Sequence, residues 1–215
     1  MLHELSSTRE RDGCLRRQGD GATMCGMTTA RRLHYDYADY LRSLEVSPLK
    51  LEYCDGVIYA MAGGTRAHAE LSAAVIGILH RLLPKGCRPA TSDLKVRVEA
   101  SDLSTFPDVS VVCGEAVASS IDANAITNPA LLVEVTSKST EDYDRGDKLS
   151  HYKQLPSLQV VLYVSHRTRK ITVVERTTAG WDERDLRGGE QVTLASPSIS
   201  FAVDAVYEGI TLDPA

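Results

Sequence analysis

Ala130-Leu131-Leu132-Val133-Glu134-Val135-Thr136 is a run of apolar residues interrupted by one acid. A half-exposed strand alternates apolar and polar side chains, whereas an unbroken apolar run marks a strand covered on both faces. The stretch therefore predicts the centre of a sheet, and the rest of the chain must supply the layers above and below it. Glu134 is the informative residue, because an ionised carboxylate inside such a strand is costly unless it is paired, hydrogen-bonded or bound to a cation.

The flanking sequence offers candidates to face it. Pro107 to Cys113 reads as a neighbouring strand, with Asp108 directly after a proline of the kind tolerated at a strand start. Carboxylates at two neighbouring strand ends form an oxygen-rich site suited to a hard cation such as Mg²⁺, with Mn²⁺ as a substitute. The pattern equally allows Asp108 to cap a turn and Glu134 to pair with a core Lys or Arg. After the central strand, Ser139 and Asp142 resemble a capping box that opens a helix from about Thr140 to Leu155. Asp144, Lys148 and Tyr152 share one face of it. Lys148 either points toward the site, where it could orient a water molecule and stabilise developing charge, or forms a surface ion pair with Asp144.

Outward from this centre, Leu49 to Cys54 and Val57 to Met61 flank Asp55-Gly56, the turn dipeptide of a two-residue hairpin. Glu52 lies on that hairpin, opposite Leu51 and Tyr53, as a third carboxylate for the site or an exposed strand acid. Leu71, Val75, Ile78, Leu79 and Leu82 recur at helical spacing and predict a helix over Ala67 to Leu83. His68 sits in its first turn, within reach of a substrate or of a core hydrogen bond. Leu94, Val96 and Val98 alternate with Lys95, Arg97 and Glu99, which predicts a half-buried strand with its charges in water. Leu158 to Val164 and Lys170 to Arg176 are further strands, and Trp181 to Leu186 and Val192 to Leu194 are expected to extend the same sheet. A short helix around Tyr37 to Leu44 precedes Pro48. The fold class is α/β, a mixed central sheet flanked by helices.

The 215 residues are 43% hydrophobic and 25% charged, consistent with one domain over 28–215, and residues 1–27 lack apolar periodicity and are expected to be a poorly ordered extension. A net charge of -5 argues against a surface coated in Lys and Arg for non-specific nucleic-acid binding, so any such contact must be local. Five dispersed cysteines without a C-x-x-C pair suggest neither a disulfide framework nor a zinc site, and with no signal peptide or apolar span the expected location is cytoplasmic, with no membrane contact. Gly63-Gly64 lacks the rest of a nucleotide-binding loop, no G-x-S-x-G elbow is present and Cys113 has no evident His partner, so covalent hydrolase chemistry finds no support.

Taken in order, Glu52-Tyr53-Cys54-Asp55-Gly56, His68, Pro107-Asp108, Glu134-Val135-Thr136-Ser137-Lys138-Ser139-Thr140 and Asp144-Arg145-Gly146-Asp147-Lys148 with Tyr152 resemble the Uma family, type two, of restriction endonucleases, formerly a domain of unknown function. The family lies in the PD-(D/E)XK nuclease superfamily, and the resemblance runs from about Thr28 to Ile210. It implies a restriction-endonuclease-like core, Mg²⁺ dependence, and a catalytic group made of the aspartate after proline, the strand glutamate and a lysine. Two departures stand out: Thr136 replaces the usual lysine two residues after the glutamate, which points that role to Lys148, and Lys138 stands where the family usually has proline, as a substitute for or supplement to Lys148. The expectation is an endonuclease acting on DNA, with Asp108, Glu134 and the Val135 carbonyl holding the metal, and a homodimer, since two-fold dimers are the commonest assemblies and would place two sites on the two strands of a duplex. Lys148 then positions the attacking water, and Glu52 and His68 line the site. The alternative from another class is a non-catalytic binding module on the same fold, which the acidic net charge favours.

Overall fold

The structure, a computed structural model, describes residues 34–61, 63–136 and 144–214, with backbone alone for His3–Glu4 and for residues 144 and 145. Lys138, the Ser139 and Asp142 capping box and nearly all of the expected N-terminal extension lie outside the described residues. In chain order the elements are β1 (His3–Glu4), α1 (Tyr37–Val46), β2 (Leu51–Cys54), β3 (Val57–Ala60), α2 (Arg66–Leu82), β4 (Cys87–Thr91), β5 (Lys95–Val98), β6 (Leu103–Thr105), β7 (Val109–Cys113), β8 (Ala118–Ser119), β9 (Asp122–Ile126) and β10 (Leu131–Thr136). A turn of π-helix over Asp144–Lys148 leads into α3 (Leu149–Tyr152), followed by β11 (Val160–Ser165), β12 (Lys170–Thr177), β13 (Gly180–Arg187), β14 (Gln191–Leu194), β15 (Ile199–Ala202) and α4 (Val203–Val206).

β10 is buried at every position and lies inside a six-stranded mixed sheet of order β13-β12-β11-β10-β7-β4. It runs parallel to β11 and antiparallel to β7. On one face Leu131, Val133 and Val135 pack with Val109, Val111, Val160 and Leu162 against Leu71, Val75 and Leu79 of α2, the stripe that the helical spacing predicted. On the other face Leu132, Val161 and Tyr163 meet Leu149, Tyr152 and Leu155, together with Val96, Val98 and Leu103. Those last three belong to a second sheet, of seven strands in the order β1-β3-β2-β6-β5-β9-β8, so that face is covered by α3 and another sheet. Asp55 and Gly56 close the β2–β3 hairpin at φ 43° and 82°, the left-handed pair that a type I′ turn requires.

Three expectations are corrected. β13 extends the main sheet as expected, but β14 pairs only with β15, in a separate two-stranded sheet. Lys95 and Arg97 are buried, because both faces of β5 are covered: Lys95 Nζ lies 2.6 Å from Asp122, and the Arg97 guanidinium stacks 4.1 Å from the Tyr37 ring while pairing with Asp102. Cys87 and Cys113, far apart in sequence, stand directly opposite each other in the β4–β7 pair and form a disulfide. Antiparallel register brings such side chains into bonding range whatever their spacing.

Burial pushes the Asp122 carboxyl up, but hydrogen bonds from Lys95 and Tyr37 outweigh it and hold the group below the usual carboxylate range. Its contribution to stability is therefore present above the unfolded carboxylate pKa of about 3.9 and is lost as the pH falls through the lower folded value. Asp122→Asn strands Lys95 and should cost roughly 3–5 kcal/mol in urea unfolding at neutral pH, a deficit that narrows below about pH 4. A variant as stable as the wild type at pH 7 would show that the pair is not integral to the core.

Candidate functional site

Asp108 and Glu134 meet at one end of the main sheet. Val133 is opposite Val109 in the β7–β10 register, so one step further along Asp108 falls opposite Glu134. The chain bends at Asp108, and its Oδ2 accepts a hydrogen bond of 2.7 Å from the Val135 N–H, locking the aspartate to the residue after Glu134. The same oxygen lies 3.2 Å from His68 Nε2 in the first turn of α2. Thr65 caps that helix, its hydroxyl oxygen accepting from the His68 N–H at 3.2 Å.

On the other side of the strand, Glu134 Oε1 accepts a 2.6 Å hydrogen bond from the Tyr152 hydroxyl and lies 3.0 Å from Lys148 Nζ. Lys148 is also 3.5 Å from Glu52 Oε1. That oxygen takes hydrogen bonds from the Thr105 hydroxyl and, at 3.2 Å, from the Phe106 N–H. Glu52, Glu134 and Lys148 are each about 95% buried. Burial, and next the neighbouring Glu134 charge, raise the Tyr152 phenol well above its ordinary pKa, so it remains a donor to the carboxylate.

The readings of these residues as an exposed strand acid and a surface ion pair are thus overturned. β2 is an inner strand of the second sheet, and the face carrying Glu52 is turned toward α3. Lys148 points inward, and the side chain of Asp144 lies outside the described residues. Glu134 does pair with a core lysine, as the purely structural alternative required, but that lysine is Lys148 itself.

Asp108, His68 and Val135 line a cleft of about 740 Å³ that also borders Gly63, Gly64 and Thr65 before α2 and His166 after β11. The five site residues named from sequence are therefore gathered at one place, Asp108 and His68 on the cleft and Glu134, Lys148 and Glu52 behind it. Sequence reasoning missed Thr105 and the Phe106 amide, which hold Glu52, and His166 with its neighbour Asp213. Their side chains carry no periodic signal; only His166, a polar residue ending an apolar strand, could have been singled out.

A solved structure from Anabaena variabilis, described as "a putative nuclease belonging to DUF820", matches with a TM-score of 0.67 over 81% of this chain and 98% of that one. At 15% identity the likeness speaks for the fold, which is restriction-endonuclease-like, a mixed sheet with its helices. The model of the Uma2 family, described as "Putative restriction endonuclease", matches residues 37–205, and the chain belongs to that family. Two uncharacterized proteins of Synechocystis sp. (strain PCC 6803) are similar. The protein slr1290 is 38% identical over 174 residues, 80% of this chain and 90% of that protein. The protein sll1609 is 31% identical over 132 residues, 59% and 72% of the two chains.

Lys148→Met would leave Glu52 and Glu134 buried together without their cation. The variant should lose roughly 3–5 kcal/mol in chemical unfolding at pH 7, whereas Lys148→Arg, which keeps the charge, should lose less. Equal stability of Lys148→Met and wild type would show that the cluster is open to water in solution.

Proposed function

We propose that the protein is a Mg²⁺-dependent endonuclease that hydrolyses phosphodiester bonds in DNA. The observation that carries this reading is the buried arrangement of Glu134, Lys148 and Glu52 at a strand end locked to Asp108, in a chain of the Uma2 family.

The residues fit a hard divalent cation. Two carboxylates, Glu134 and Glu52, share one lysine and are almost sealed from water, and Asp108 stands at the adjoining strand end. Such an excess of negative charge in a low dielectric is relieved by protons or by a cation. Among the described residues no three side chains of His, Cys, Asp or Glu converge as a ready-made cage. A cation held by Asp108, Glu134 and the Val135 carbonyl would thus keep most of its ligands as water, the habit of Mg²⁺, and Mn²⁺ accepts the same oxygen donors. When bound, the metal supplies Lewis acidity toward a phosphate oxygen and lowers the pKa of a coordinated water.

The chain's own residues have distinct tasks. His68 and the Val135 amide fix the Asp108 carboxylate, and Tyr152 fixes that of Glu134. Lys148, held between Glu134 and Glu52, orients the attacking water and stabilises the negative charge that grows on the phosphoryl oxygens. Glu52, gripped by Thr105 and Phe106, keeps Lys148 in place. A two-fold homodimer would present two such sites to the two strands of a duplex.

The test is cleavage of plasmid and single-stranded DNA with Mg²⁺, with Mn²⁺ and with chelator. Chelator should abolish cleavage, and Asp108→Asn or Glu134→Gln should lower it by at least about a hundredfold. Lys148→Arg should lower it while leaving Mg²⁺ affinity nearly intact, and Lys138→Ala should do little. The reverse order for the two lysines would move the role to Lys138. A folded wild type that binds DNA and cuts nothing under any of these conditions would be a nuclease-fold binding module instead.

A further inference from the structure

The cleft beside Asp108 has a second half that the chemistry above does not use. From His68 its lining continues along one face of α2 through Ala69, Ser72, Ala73 and Ile76, neighbours on a helical surface. The helix rises about 12 Å between His68 and Ile76. Leu49, just before β2, and Met61, just after β3, line the cleft as well. Leu49 is half exposed, and Ala69 and Ala73 are exposed. Both alanines end at a methyl group, so a flat ring can lie against the helix where a longer side chain would fill the space. A single exposed apolar residue is ordinary, but several on the wall of a concave site mark a place for the apolar face of a ligand.

Charge indicates what that ligand is. Among the described residues that line the cleft, Lys50 is the only lysine or arginine, and its Nζ lies 2.6 Å from Asp93 and donates to the Ser92 carbonyl. The chain as a whole carries a net charge of -5. A nucleic acid entering here therefore gains little from its phosphates, the usual source of affinity. The part of a nucleotide that an apolar wall holds is the base, once it is out of its stack. A volume of about 740 Å³ suits a ligand of a few rings rather than a length of duplex.

Polar groups for the edge of a base stand on the same cleft at Thr91 and Ser92. Thr91 is opposite Val109 in the β4–β7 register, one residue from Asp108. Its hydroxyl oxygen accepts from the Asp93 N–H at 3.4 Å, and that of Ser92 accepts from Lys50 Nζ at 3.2 Å. Each hydroxyl keeps its own O–H to donate.

We propose that the apolar half of the cleft holds one unpaired nucleobase of the strand whose phosphodiester lies at Asp108. The inference rests on the nuclease reading given above and names the substrate class of that site: DNA with an unpaired nucleotide, in a single strand or turned out of a duplex. The base lies flat against Ala69 and Ala73, Leu49 and Met61 supply the remaining apolar contacts, and the Thr91 and Ser92 hydroxyls donate to its edge.

The experiment uses the full chain with chelator present, so that no strand is cut. Fluorescence anisotropy is followed for four labelled oligonucleotides: a single strand, the same strand with abasic sites throughout, its matched duplex, and a duplex with a central mismatch. The abasic strand keeps every phosphate, yet it should bind at least about tenfold more weakly than the intact strand. Tighter binding of the single strand than of the matched duplex supports an unpaired strand as the source of the base, and tighter binding of the mismatched duplex supports a base turned out. Ala73→Leu fills the apolar half from an exposed position with a good helix former. It should weaken binding of the intact strand about tenfold and leave the abasic strand unaffected. Equal affinity of the wild type for intact and abasic strands overturns the proposal and leaves the nuclease reading standing, as does a folded Ala73→Leu that binds the intact strand like the wild type. Absence of any binding by the wild type overturns both. Should Ala73→Leu fail to fold, a single strand carrying 2-aminopurine decides with the wild type: emission that changes on binding supports the proposal, and emission that stays constant in the bound strand overturns it.

Discussion

One lysine holds the functional end of this molecule together. Lys148 lies on the helical turn before α3, Glu134 on the central strand of the main sheet and Glu52 on an inner strand of the second sheet, so the contacts at 3.0 and 3.5 Å tie three layers at one point. A buried cation with two buried anions is weak evidence for net stability, since desolvation of the charges offsets much of their attraction. Its value is specificity. Any other register of β2, or any rotation of the helical turn, would leave a charge in the core without a counter-ion. The Tyr152, Thr105 and Phe106 donors extend the same constraint, because each fixes a carboxylate that would otherwise turn away from the lysine.

The geometry also shows how one strand serves two environments. Residues of β10 alternate between the α2 face and the α3 face, so Glu134 and Val135 point to opposite sides while their peptide unit is shared. Asp108 accepts a hydrogen bond from that peptide unit, and His68 Nε2 lies 3.2 Å from Asp108. The cleft on the α2 side and the charge cluster on the α3 side are therefore connected through one peptide and one carboxylate. A small displacement of the α2 cap is felt at Asp108, and a displacement of α3 is felt at Glu134.

Much of this was legible in the sequence, for reasons that can be named. The central strand announced itself because burial on both faces leaves no polar alternation, and Glu134 stood out against that background. The Asp55-Gly56 turn and the α2 stripe follow from local backbone and periodicity rules. Burial of the second sheet was not legible: alternation at Lys95 and Arg97 reports two faces, but not that both are covered. β4 was missed because Cys87-Arg88-Pro89-Ala90-Thr91 looks unlike a strand, and its proline is tolerated only because β4 is an edge. The Cys87–Cys113 pairing depends on the β4–β7 register, which a spacing of 26 residues cannot disclose. Glu52 was readable as an acid on a hairpin, whereas its partners come from a strand some fifty residues further on.

The anchoring of the last described residues has a practical side. Leu212 packs against the core beside α2, and Asp213 and Pro214 are pinned between β11 and the α2 cap. Whatever continues the chain past Pro214, native sequence or an affinity tag, starts at the rim of the cleft rather than at a remote surface. Purification handles and fluorophores placed there would sit over the entrance, and a reporter attached at that point would sense what enters.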